Sequence, residues 1–160
     1  MYDGVIQQVA PPMEVYDKPV NRFVAGFLGT PPMNFFEGKV EFKNNKPVFV
    51  LTDDTCVTLS GSNSKLSSYA GREMVLGIRP EHLTMDSIDG NDNSILATVD
   101  VVEPLGDRKD VYLTAGNGQK FIANLDPHVD ITMNQKIQIY VDVDNIHIFE
   151  PGDTGSNISL

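Results

Sequence analysis

The sequence has no tryptophan, a single cysteine and only 12 basic residues against 22 acidic ones. With Cys56 alone, an intrachain disulfide and a zinc site built on paired cysteines are both excluded, which suits a reducing compartment. A net charge of −10 opposes binding to a phosphate backbone, so nucleic acid is set aside as a partner. No apolar run approaches the roughly 20 residues of a membrane-spanning helix, and Met1-Tyr2-Asp3-Gly4 does not open a basic and then apolar leader. The expectation is a chain neither exported nor inserted by signals of its own.

Catalytic machinery is also missing. A phosphate-gripping loop needs glycine-rich backbone followed by Lys and Ser or Thr; Gly116-Asn117-Gly118-Gln119-Lys120 comes nearest but lacks the spacing and the hydroxyl, and reads as a hairpin turn. His82, His128 and His147 are too scattered in sequence to suggest a metal site, and Cys56 has no nearby histidine to activate it. Ser60, Ser62 and Ser64 lack a nucleophile elbow and read as loop solvation. Asp86, Asp89 and Asp92 miss the alternating ligands and terminal Glu of a calcium loop, and read as a solvated turn. Asn157-Ile158-Ser159 fits the glycosylation pattern and is taken as a chance match in a polar tail.

What is present at 160 residues, 41% hydrophobic and 21% charged, is enough for one ordinary folded domain. Its pattern changes near Asn34. Before that point, Gly4 to Val9 reads as a short strand, and Pro11 to Tyr16 as a short helix with Pro12 in its first turn. Asn21 is placed to cap a second helix, Arg22 to Leu28, stopped by Gly29 and Pro31-Pro32. Phe23, Val24, Phe27 and Leu28 give that helix an apolar face on barely two turns, so it must pack on something.

After Asn34 the period is two. Ile137, Ile139, Val141 and Val143 alternate with polar or amphipathic neighbours, as do Ile95, Ala97, Val99 and Val101, then Met74, Leu76 and Ile78, then Val111, Leu113 and Ala115. Further strands are expected over 36–42, 47–51, 119–125 and 145–149, about eight in all. Turn signals lie at Asn44-Asn45, Asp53-Asp54, Asp89-Gly90-Asn91, Gly116-Asn117-Gly118 and Met133-Asn134. This predicts a mainly β fold: a small OB-like antiparallel barrel with a short helical N-terminal segment, a two-sheet sandwich being the alternative. The expected interior is Val40, Leu76, Ile78, Val99, Val101, Ile137, Ile139, Val141 and Ile148. The expected division is 1–33, 34–151 and a mobile tail over 152–160.

Asp3 to Val9, Glu14 to Pro19, Asn21 to Gly29, Pro32-Met33-Asn34-Phe35 and Leu76-Gly77-Ile78-Arg79-Pro80-Glu81-His82-Leu83 together resemble the ATP-binding subunits of bacterial carbohydrate ABC importers, of the maltose and multiple-sugar type. Val101-Val102-Glu103-Pro104-Leu105-Gly106 and Ile146-His147-Ile148-Phe149 add weaker matches. The resemblance implies that 1–33 closes an ATPase domain and links it to 34–151, an OB-like (TOBE) regulatory domain. The Walker, signature and switch elements of that family do not occur here, so no catalysis and no cofactor is expected of this chain, with ATP and magnesium held by the ATPase domain.

Arg79 and Glu81 flank a proline that ends a strand. They read either as a structural turn with a local ion pair or as a contact between domains or subunits, a role extended to Phe23, Phe27 and Leu28. The implied partners are a second copy, the ATPase domain, a second ATP-binding subunit, the membrane permease subunits and a regulatory protein, at the inner face of the cell membrane in the cytoplasm. A barrel that binds a sugar or an oxyanion such as molybdate is the alternative function. The apolar helix face is expected to drive self-association, with back-folding onto the barrel as the rival.

Overall fold

A computed structural model describes residues 1–52, 55–59, 63–87 and 93–160. Ten strands and three short α-helices are assigned among them, in the order α1 (Pro12–Asp17), α2 (Arg22–Phe27), β1 (Asn34–Lys43), β2 (Lys46–Thr52), β3 (Thr55–Thr58), α3 (Asn63–Leu66), β4 (Glu73–Ile78), β5 (Leu83–Thr84), β6 (Ser94–Pro104), β7 (Lys109–Ala115), β8 (Lys120–Leu125), β9 (Lys136–Val141) and β10 (Ile146–Phe149). The fold is mainly β, as expected. Two five-stranded antiparallel sheets, β10-β4-β1-β2-β3 and β5-β9-β6-β7-β8, wrap one apolar core. In the second sheet β8 curls round to lie near β5, nearly closing a barrel.

Local chemistry accounts for much of this. The β1–β2 hairpin closes between Lys43 and Lys46 on a two-residue turn, with φ 51° at Asn44 and 63° at Asn45, a left-handed pair that asparagine tolerates well. The Asn21 side chain accepts the Val24 amide at 2.9 Å, satisfying one orphan donor at the start of α2. Gly4 to Val9 does not form the expected strand; only a Tyr2–Val5 bridge is present. Too few residues separate the partners to build a ladder before Pro11-Pro12 begins α1. The expected turns at Asp53-Asp54 and Asp89-Gly90-Asn91, together with Ser60, Ser62, Asp89 and Asp92, lie outside the described residues.

The alternation expected for the core holds except at one residue. Val40, Leu76, Ile78, Val99, Ile137, Ile139, Val141 and Ile148 are buried, but Val101 is 43% exposed. The β6–β7 register shifts between Val99 and Val101, so Val102, opposite buried Val111, packs against the core in its place. A one-residue slip turns every later side chain to the other face.

β4 departs from simple alternation as well. Met74, Leu76 and Ile78 enter the main core, while Val75 lies in a second cluster with Ala25, Met33 and Phe149, where α2 covers the sheet. That layer sits close to the strand: a Cβ on Gly77 would stand 2.6 Å from both Met33 Sδ and a Phe149 ring carbon.

The tail expected to be mobile is instead bonded to the rest of the chain. Gly155 and Asn157 are buried, Ser156 bridges Asn21, and Asn157 bridges Phe149. Asn157 is thus a structural residue rather than an exposed acceptor.

Ile139→Asp should abolish cooperative folding, since an unpaired charge in the core costs several kcal/mol, whereas Val101→Asp should shift stability by less than about 1 kcal/mol. Urea denaturation of the two variants distinguishes them; equal losses would place Val101 on the inner face after all.

Candidate functional site: the junction between the N-terminal segment and the barrel

β4 ends at Ile78, and Pro80, which has no amide hydrogen for the ladder, starts a single 3₁₀ turn over Pro80–His82. The residue between them, Arg79, is only 3% exposed. Its guanidinium lies over the Tyr16 ring at 3.5 Å from the centroid, donates from Nη1 to the Leu28 carbonyl at 3.0 Å and donates from Nη2 to the Tyr16 carbonyl at 2.6 Å. The Tyr16 hydroxyl donates to Glu81 Oε1 at 2.9 Å. Arg79 and Glu81 are therefore linked through Tyr16, not by the direct ion pair considered from sequence.

Burial pulls the Arg79 guanidinium below its ordinary pKa, with Tyr16, Glu81 and Asp17 acting in the opposite direction. Burial also raises the Tyr16 hydroxyl, as does its bond to Glu81. Such a cation is tolerated out of water because two carbonyls and a ring face replace part of its hydration.

A second arginine reaches the same loop from the other sheet. Arg108, at the start of β7, donates from Nη2 to the Thr30 carbonyl at 3.2 Å and from Nε to Asp110 Oδ1 at 2.9 Å. Asp110 is 5% exposed and also accepts from Asn124 Nδ2 at 2.6 Å. Asn34, the first residue of β1, is stapled to β8: its Nδ2 donates to the Ile122 carbonyl and its Oδ1 accepts the Ile122 amide, both at 2.8 Å. That exchange imitates one rung of a strand pair across the gap between the sheets.

The structure therefore gathers Arg79, Glu81 and the Leu28 carbonyl around Tyr16, and places Phe23 and Phe27 elsewhere. Phe23 is half-buried, edge-on to Tyr2 with centroids 5.0 Å apart; Phe27 stacks on it at 6.0 Å and is 75% exposed. Leu28 is half-buried. The apolar face expected to bind a second copy is thus partly used within the chain: Val24 is buried, and Phe23 and Leu28 are half-buried.

Sequence reasoning missed Tyr16, Arg108, Asp110 and Asn34. The only available signal was the dense charge in Asp107-Arg108-Lys109-Asp110. No group of three or more His, Cys, Asp or Glu suited to a metal ion occurs among the described residues.

His147 on β10 is half-buried, with its Nδ1 3.2 Å from Asn157 Nδ2. Burial, then the charges of Arg79 and His82, lower it from 6.5 to about 4, while Asp17 opposes them. The neutral ring is therefore the folded form near pH 7.

Two family models match the chain: the MalK OB fold domain over residues 29–83 and the TOBE domain over residues 76–149. Together the two matches run over residues 29–149, so the chain carries a MalK-type OB fold domain followed by a TOBE domain. The shared stretch, residues 76–83, contains Arg79 and Glu81, so the junction lies on the seam between the OB and TOBE parts. Similar proteins include the trehalose/maltose import ATP-binding protein MalK of Thermococcus litoralis, 35% identical over 165 residues, covering 94% of this chain and 41% of that protein. The oligosaccharides import ATP-binding protein MsmX of Bacillus subtilis is 34% identical, with 94% and 41% covered. The sn-glycerol-3-phosphate import ATP-binding protein UgpC of Escherichia coli O157:H7 is 33% identical, with 99% and 42% covered.

The chain thus spans about two fifths of the length of these relatives. It corresponds to the OB/TOBE region of ABC importer ATP-binding subunits and does not contain the ATPase domain. Among solved structures, the cytoplasmic molybdate-binding protein ModG with molybdate bound shares the fold at a TM-score of 0.59 and 15% identity, over 74% of this chain and 96% of that one.

Two outcomes follow from the junction of this OB/TOBE chain. Arg79→Ala should cost roughly 2–4 kcal/mol by leaving the half-buried Tyr16 and Leu28 carbonyls without donors and the Tyr16 ring without its cation, and Arg79→Lys should recover only part, since an ammonium lacks the flat two-armed donor. Chemical denaturation of both variants measures this. For His147 the unfolded state binds the extra proton between about pH 6.5 and 4. Its stabilising contribution is complete above pH 6.5 and fades as pH falls toward 4, so His147→Gln should flatten the pH dependence of the urea midpoint in that window.

Proposed function

We propose that this chain is the regulatory and dimer-stabilising module of the ATP-binding subunit of a carbohydrate ABC importer. The observation that carries the reading is the distribution of uncovered apolar surface. Among the described residues, seven of the twelve exposed large hydrophobics fall in the first 27 positions, including Val5 at 61%, Val9 at 84%, Met13 at 67% and Phe27 at 75%. Soluble surfaces seldom leave such side chains concentrated in one segment unless something docks there. The family relationship supplies the occupants: an ATPase domain continuous with this segment and, across the complex, a second ATP-binding subunit.

In this reading the module holds no nucleotide and no metal. It keeps two ATPase domains near one another as they open and close, at the inner face of the cell membrane beneath the permease subunits. A regulatory protein has the barrel's outer face available to it.

The test compares an ATP-binding subunit carrying this module with one shortened to its ATPase domain. The shortened form should still hydrolyse ATP but should dimerise only at higher concentration in analytical ultracentrifugation; equal association would overturn the dimer-stabilising role. For the chain by itself, light scattering at tens of micromolar should show self-association, weakened roughly tenfold or more by Phe27→Asp, because Phe27 is the member of the expected helix face left outside.

The fold shared with a molybdate-binding protein supports a second reading, a barrel that takes a sugar or an oxyanion. A groove of about 450 Å³ bordered by Asn34, Asp100, Tyr112 and Lys120 lies on the barrel flank. One lysine facing one aspartate, on a chain of charge −10, is a poor anion cradle. Calorimetry with molybdate, sulfate and maltose should therefore give no saturable heat; micromolar binding of any of them would favour the second reading.

A further inference from the structure

Beside the apolar packing of Ala25 on Val75 and Phe149, two polar attachments of different character hold the N-terminal segment to the barrel. One is Arg79, a buried cation stacked on Tyr16 and bonded to the Tyr16 and Leu28 carbonyls. The other is the stretch 153–159, which crosses from β10 to the start of α2. On the barrel side it accepts the Glu150 amide at the Ser156 carbonyl and donates the Ile158 amide to Ile148, at 2.9 and 2.8 Å. On the segment side the Gly155 carbonyl accepts the Arg22 amide, the Asn157 amide donates to Val20, and Asn157 Nδ2 donates to the Pro19 carbonyl, at 2.9, 2.9 and 2.8 Å.

This strap is held almost wholly by hydrogen bonds. Its buried members are a glycine and an asparagine; Ile158 alone touches the main apolar cluster, and only in part. Groups bonded in this way exchange their partners for water when the strap lifts, so opening costs little, whereas withdrawing the segment from Arg79, itself 3% exposed, leaves a guanidinium without its two carbonyls and its ring face. Fit is demanding all the same: a Cβ on Gly155 would collide with the Glu150 carbonyl oxygen.

We infer that residues 153–159 form a releasable clasp and Arg79 a fixed pivot, so that opening the clasp frees the start of α2 and lets the N-terminal segment turn on the barrel without leaving it. α1 stays anchored through Tyr16 and the end of α2 through the Leu28 carbonyl, while the chain from Pro19 to Arg22 loses its strap bonds. The consequence for the proposed role, which the experiment below does not depend on, is that the angle at which the apolar surface of residues 1–27 meets its partner is set by the clasp.

Native-state hydrogen exchange by mass spectrometry on the full chain, on Asn157→Ala and on Gly155→Ala tests this. Both variants leave the barrel core untouched. The expected result is exchange roughly tenfold faster or more over residues 19–25, with unchanged protection in α1 and in β6, β7 and β9. Arg79→Ala is the counterpart, and should loosen α1 while the strap bonds remain. Unchanged exchange over 19–25 would show that the strap holds nothing. Loss of protection in the barrel strands of the point variants would show that it belongs to the fold and is no clasp. Parallel loss in α1 and α2 would remove the pivot.

Discussion

A buried arginine with no carboxylate directly opposite it is the constraint on which the organisation of this chain depends. Taking a guanidinium out of water is costly, and Arg79 is 3% exposed. The cost is offset only because the chain brings it two main-chain carbonyls and the face of Tyr16. Those groups come from α1 and from the end of α2, so the charge is satisfied only when the N-terminal segment is docked. Docking in turn places Ala25 on the outer side of β4, beside Val75 and Phe149. One polar requirement thus fixes where a short, otherwise marginal pair of helices must lie.

The rest of the junction uses polar staples where apolar packing has no room. Asn34 supplies a side-chain copy of a ladder rung to β8, and the buried Asp110 carboxylate ties Arg108 to Asn124 while Arg108 reaches the Thr30 carbonyl. Each is directional, so it sets geometry more sharply than its modest net energy suggests. The loop over Leu28 to Thr30 is gripped by one arginine at the end of β4 and by another beside the β6–β7 hairpin. Arg79 lies in the stretch 76–83 that both family matches share, so the incoming segment is bonded where the OB and TOBE parts meet.

The difference between pivot and strap has a physical basis that extends beyond this chain. A polar group that is dry in both states must stay paired, while one that becomes wet on opening exchanges its partner for water. Arg79 is of the first kind and the bonds of residues 153–159 are largely of the second. His147 links them electrostatically: it faces Asn157 in the strap while feeling the charges of Arg79, His82 and Asp17.

By itself the sequence determined the β-rich class, the Asn21 cap of α2, the Asn44-Asn45 turn and nearly all of the inner face, because these follow from periods of two and from residues that act within three or four positions. It also singled out Arg79 and Glu81 from their place at a proline-ended strand exit, and the resemblance carried by residues 76–83 pointed to the right family. Only the tertiary structure decided the remainder. The bulge that turns Val101 outward depends on how β6 meets β7 rather than on β6 alone. β3 and β5 are too short to show a period. The burial of Asn157 and the ordering of the tail depend on Pro19, Val20 and Phe149, one of them 138 residues away in sequence. Tyr16, Arg108 and Asn34 look like ordinary surface residues in the chain, since a polar side chain gains its role only when a distant carbonyl or amide is placed within about 3 Å of it.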